Sequence, residues 1–122
     1  MSEQLWAACP FCNIINGHAP ATILEEWRDA LAIEPLGPVV PGHVLVIPKQ
    51  HVRDYLEDPT VTAAAMRRAA EFGNRPSNII TSAGREATQT VQHLHLHIVP
   101  RAAGDGLALP WDGARITDSE ED

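Results

Sequence analysis

Three histidines alternate in the run Gln92-His93-Leu94-His95-Leu96-His97-Ile98-Val99. An imidazole can serve as nucleophile, proton carrier or metal ligand near neutral pH. On an extended chain successive side chains point to opposite faces. His93, His95 and His97 would then share one face, with Leu94, Leu96 and Ile98 entering the core from the other. The rings would start about 6.6–6.8 Å apart, whereas a helix would separate His95 from the other two. Such a face admits a nucleophile assisted by its neighbours, or a zinc centre with three imidazole ligands. A second reactive group is Cys9-Pro10-Phe11-Cys12, which holds both cysteines of the chain. Its spacing suggests a metal or redox site rather than a structural disulfide. A redox pair of this spacing normally follows a buried strand in a βαβ pattern, and only eight residues precede Cys9.

These groups need a scaffold, and the intervening pattern supplies an α+β one. Residues Pro10 to Asn16 read as a short helix ending at Gly17. Thr22–Glu26 and Ala30–Glu34 read as strands joined by a tight turn at Arg28-Asp29. After a proline- and glycine-rich loop from Pro35 to Gly42, the β-branched His43–Ile47 predicts a strand that Pro48 stops. Asp58 or Thr60 would cap a helix beginning near Pro59 and ending near Phe72, with Gly73 at its end. Asn78–Ser82 predicts a fourth strand, Gly84–Ala87 a turn, and Thr90–Val99 a fifth strand closed by Pro100. Five strands with short connections and one main helix favour an antiparallel sheet.

The segment His93-x-His95-x-His97, with Gln89-Thr90-Val91 before it and Pro100-Arg101 after it, resembles the signature of the histidine-triad (HIT) superfamily of nucleotide hydrolases and transferases. Pro41-Gly42-His43-Val44-Leu45-Val46-Ile47-Pro48-Lys49 with His51 extends the resemblance, as do Gly104-Asp105-Gly106-Leu107 and Leu109-Pro110-Trp111. The matching pieces run from residue 9 to residue 111, in the order of the zinc-containing nucleoside phosphoramidase-like branch.

That resemblance implies a role for each residue. His95 would be the nucleophile, attacking an α-phosphorus to form a nucleotidyl-imidazole that water opens. His97 and His43 would lie beside the same phosphate. Backbone amides around Gln89 and Thr90 would cradle its oxygens, and the Thr90 hydroxyl would assist the leaving group. Cys9, Cys12, His51 and His93 would hold a structural zinc, leaving His95 and His97 for chemistry. Phe11, Ile14 and Ile33 match the apolar base pocket of the family. Departures occur at the ribose and phosphate. Pro35 stands where an aspartate is usual, with Glu34 one position earlier; Ser82 replaces an asparagine, and Thr88 a glycine. The segment after Gly104, with Trp111, matches the variable region that helps select the leaving group.

The chain has 122 residues, 44% of them hydrophobic, which suits one domain over residues 1–115. The net charge is −7, but Asp118, Glu120, Glu121 and Asp122 supply four of those charges. Residues 116–122 therefore read as an acidic, solvated tail. The body lacks the basic footprint of a duplex nucleic-acid binder, and no apolar run approaches the ~20 residues of a membrane span. The N-terminus lacks the pattern of a signal peptide, so a cytoplasmic location is expected. The combined expectation is a homodimeric enzyme acting on a small purine nucleotide. A dinucleoside polyphosphate hydrolase, a nucleotidyltransferase of the same mechanism, and a nucleotide-binding regulator with vestigial activity are the alternatives.

Overall fold

The computed structural model describes residues 9–112; the acidic tail inferred over 116–122 lies outside them. Helix α1 (Pro10–Ile15) is followed by strands β1 (Ile23–Glu26), β2 (Ala30–Ile33) and β3 (Val44–Pro48). Helix α2 (Pro59–Phe72), β4 (Ser77–Ile80), a short 3-10 turn (Arg85–Ala87) and β5 (Leu96–Pro100) complete the order. The strands form one sheet in the order β1-β2-β3-β5-β4, and every neighbouring pair is antiparallel.

Two-residue periodicity gives the sheet its two faces. Ala30 and Ala32 of β2, Val44 and Val46 of β3, and Leu96 and Ile98 of β5 join one buried cluster with Leu94, Ala65 and Ala69. This is the face under α2, whose Val61, Ala65, Ala69 and Phe72 form the apolar stripe that meets the sheet. Leu31, Ile33, Leu45 and Ile47 point the other way and pack with Cys9, Phe11 and Cys12. The α2 N-terminus is built as its sequence suggests. The Asp58 carboxylate accepts the Thr60 N–H at 3.0 Å, and Pro59 takes the first position, where a missing N–H costs nothing.

The first four strands differ from their expected bounds by one or two residues, β4 spanning Ser77–Ile80 rather than Asn78–Ser82, and the fifth departs most. The fifth strand begins at Leu96, not Thr90. Residues His93 to His95 have neighbours, but not ladder partners. At the end of β3 the Pro48 carbonyl accepts the His93 Nε2–H, and the Leu94 N–H donates to the Val52 carbonyl, each at 2.8 Å. On the other side, the Thr81 hydroxyl rather than a backbone amide donates to the His95 carbonyl at 2.7 Å. The alternation nevertheless survives: Leu94 and Leu96 are each 1% exposed, and the histidines take the opposite side.

Candidate active site and metal centre

The alternating histidines reach two distinct sites. His93 is fully buried and belongs to a group with Cys9, Cys12 and His51, whose ligand atoms all lie within 4.8 Å of one another. Helix α1 starts this group. Cys9 is its N-cap, and the Cys9 Sγ accepts the Cys12 N–H at 3.3 Å, which brings the second sulfur onto the same turn. The His93 Nε2–H donates to the Pro48 carbonyl at 2.8 Å, so its Nδ1 lone pair faces the cluster. That Nδ1 lies 3.4 Å from Cys9 Sγ, 3.6 Å from Cys12 Sγ and 3.1 Å from His51 Nδ1, and the last is 3.2 Å from Cys12 Sγ. Tetrahedral zinc, with bonds of about 2.0–2.1 Å to nitrogen and 2.3 Å to sulfur, would separate its ligands by about 3.3–3.8 Å. The donor types, burial and spacing therefore fit a metal ion. Burial and the neighbouring Cys9 push the Cys12 thiol up to about 12, so it becomes a thiolate readily only with a cation beside it. Burial also lowers the His93 pKa to about 4, keeping the ring neutral.

His95 and His97 face a separate cavity of about 280 Å³, together with His43, Ser82, Thr88, Gln89 and Arg101. The hydrogen bonds assign each ring a tautomer. Val39 N–H donates to His43 Nδ1 at 3.1 Å. The His43 Nε2–H can therefore donate to His97 Nδ1, 3.0 Å away, leaving the His97 Nε2–H free as a donor. The His95 Nδ1–H donates to the His93 carbonyl at 2.8 Å, so its Nε2 keeps a lone pair. Burial, then the nearby His95 and His43, bring the His97 pKa to about 4, and burial lowers that of His43. The cavity thus presents one nucleophilic nitrogen and one neutral N–H donor from rings 5.1 Å apart. That pair can attack an electrophilic centre and stabilise a developing oxyanion.

The other expected site residues divide by position. Ser82 and Gln89 line the cavity. The buried Gln89 side chain acts as a scaffold: it accepts the Gly84 N–H and donates to the Arg53 and Val91 carbonyls. Thr90 is exposed and does not line this cavity. Phe11 packs edge-on against His95, with ring centroids 5.1 Å apart. Ile33 is buried beneath it and Ile14 is partly buried, while Glu34 is exposed. These four also lie outside the cavity lining.

Arg101 was not among the expected site residues, although the spacing Arg101-x-x-x-Asp105 across a glycine-containing turn is a usable signal. Its guanidinium holds both Asp105 oxygens at 2.8 and 3.2 Å, Asn78 Oδ1 at 2.6 Å and the Leu107 carbonyl at 2.8 Å. This clamp sets Leu107, Ala108 and Leu109 as one wall of the cavity. The paired charge holds the Asp105 carboxyl well below the usual carboxylate range.

The chain is similar to known proteins over most of its length. The model of the HIT domain matches residues 16–104. A HIT-like protein of Methanocaldococcus jannaschii is 35% identical over 93% of this chain and 94% of its own. An adenosine 5′-monophosphoramidase of Candida albicans is 33% identical over 94% of this chain and 84% of its own. Among solved structures, a zinc-bound histidine triad family protein of Mycobacterium smegmatis superimposes with a TM-score of 0.73. It is 39% identical and aligns over 84% of this chain and 81% of that one.

Proposed function

The chain belongs to the HIT domain family, and from that premise we propose that it hydrolyses a nucleoside 5′-phosphoramidate, or a similar nucleotide, through a covalent intermediate on His95. The observation that carries the reading is the His95 Nδ1–H bond to the His93 carbonyl, which leaves Nε2 free in a cavity that also holds a neutral His97 donor. The His95 Nε2 pair attacks the α-phosphorus. The P–N bond breaks, and the amine departs with the bonding pair, taking a proton from solvent. The resulting imidazolium keeps its Nδ1–H on the His93 carbonyl. Water then attacks phosphorus and releases a proton to solvent, the P–Nε2 bond breaks, its pair returns to Nε2, and a nucleoside monophosphate leaves. His97 stabilises charge on the phosphate oxygens, with His43 fixing its tautomer.

The nucleoside, read here as a purine, would extend across Phe11, Ile14 and Ile33 with its ribose toward Glu34; Ser82 and the backbone around Gln89 would hold phosphate. Cys9, Cys12, His51 and His93 would bind a structural zinc, which would tie α1 to the catalytic segment. The names of relatives that cleave adenosine phosphoramidates or adenylyl sulfate support this substrate class. A homodimer is part of the reading. So is a cytoplasmic location; among the described residues no helix is long and apolar enough to cross a membrane.

The test compares turnover of an adenosine phosphoramidate and a diadenosine polyphosphate by the wild type and His95→Ala, with AMP binding measured in parallel. The expected result is phosphoramidate turnover that His95→Ala abolishes while AMP still binds. Equal turnover by the two proteins would remove His95 as nucleophile. AMP binding without turnover in the wild type would make the chain a nucleotide-binding regulator.

A further inference from the structure

We propose that His93 couples the metal cluster to the reacting nitrogen, so that a bound metal holds His95 in the Nδ1–H tautomer with Nε2 free. This rests on the reading of His95 as nucleophile, but its geometry is independent of any substrate. The His93–Leu94 peptide lies where the two sites meet. Its oxygen accepts the His95 Nδ1–H at 2.8 Å. Its nitrogen, that of Leu94, donates to the Val52 carbonyl at 2.8 Å. Both ends of this peptide are attached to members of the cluster: His93 is one, and Val52 directly follows another, His51.

A third connection runs through Phe11, between Cys9 and Cys12 in the chain. Its ring meets the His93 ring edge-on at 5.8 Å and the His95 ring at 5.1 Å. Drawing Cys9, Cys12, His51 and His93 onto one ion therefore fixes the acceptor oxygen, the anchor of its peptide and the wall beside the His95 ring. A neutral imidazole otherwise exchanges between two tautomers, and only one of them presents Nε2 as a base and nucleophile. The two sites share a peptide plane, so the coupling is reciprocal. His93 is in this respect a positioning residue as well as a ligand.

The tautomer of His95 is read directly by long-range proton–nitrogen NMR of the ring, with the zinc-loaded protein compared with the same protein after chelation. The expected result is a single Nδ1–H form when loaded and a mixture when metal is removed. A loaded-protein measurement covers the case in which the chelated chain unfolds. Zinc affinity, by chelator competition, should be at least about fivefold weaker in His95→Ala than in wild type, and the cobalt-substituted absorption bands should shift. Unchanged zinc affinity and cobalt spectrum in His95→Ala would overturn the coupling, as would a single His95 tautomer in folded, metal-free protein. Neither readout requires turnover. Failure of the hydrolase reading would therefore appear in the phosphoramidate assay, and failure of the coupling only here.

Discussion

Thr88→Gly should stabilise the fold even though it removes side-chain atoms. Thr88 has φ 74° and ψ 22°, a left-handed conformation. A branched Cβ crowds the backbone there, at a cost of about 1–2 kcal/mol. Relieving that strain is offset by the extra freedom glycine gives the unfolded chain, about 0.4–1 kcal/mol. The side chain is exposed, and its hydroxyl donates only to the adjoining Ala87 carbonyl, so water replaces most of what is lost. The net expectation is about 0.5–1 kcal/mol of stabilisation, or roughly 2–4 °C in Tm. Urea unfolding should show a higher midpoint with an unchanged slope. The converse change, Gly84→Ala, provides a control in the same loop. Gly84 has φ 95° and ψ 157°, and an added Cβ would meet nothing within 4 Å. Its cost, about 1–3 kcal/mol, would therefore come from backbone conformation alone. A lower midpoint for Thr88→Gly would refute the argument and show that the threonine makes a contact worth more than its strain.

Chelation of the zinc-loaded protein should lower Tm by roughly 5–10 °C. Free zinc at a hundredfold excess over Kd contributes about 2.7 kcal/mol, and a melting curve indifferent to zinc would count against a folded-state site. Acid should weaken the fold through His97. Its folded pKa of about 4 lies below the ordinary 6.5, so the unfolded state takes up the proton first. Stability is therefore lost as pH falls from about 6.5 to about 4. The ring is still partly exposed, which limits the effect to less than about 2 kcal/mol. Urea titrations of wild type and His97→Asn across that range should diverge, and parallel curves would contradict the assignment. Arg101→Ala frees the Leu107–Leu109 wall, so KM for phosphoramidates with bulky amines should rise at least about fivefold. AMP binding should change less, and an equal loss for AMP and every amine would mean that Arg101 contacts the nucleotide itself.

Much of this molecule could be read from its chain. The unbroken apolar runs Ala30–Ile33 and Val44–Ile47 determined two buried sheet faces, because a strand inverts its side-chain direction at every residue. Asp58-Pro59 announced the α2 start through local hydrogen bonding that needs no distant partner. The Cys9-x-x-Cys12 spacing suited a metal or redox site, and the family resemblance added His51 and His93 as ligands before any distance was known.

Tertiary structure alone decided how those types are used. Whether His93 and His95 lie within a ladder depends on where β3 ends and on what Val52 and Thr81 offer, and neither is local to the histidines. The same holds for tautomers. The Pro48 carbonyl, 45 residues away in the chain, selects the reactive nitrogen of His93, whereas the nearby Val39 N–H and His93 carbonyl select those of His43 and His95 once the backbone is folded to aim them. Arg101 became a wall-setting residue only because the chain after β5 folds back beside Asn78. Side-chain chemistry is a property of sequence, but the direction in which a lone pair points is set by partners that only folding brings within hydrogen-bond reach.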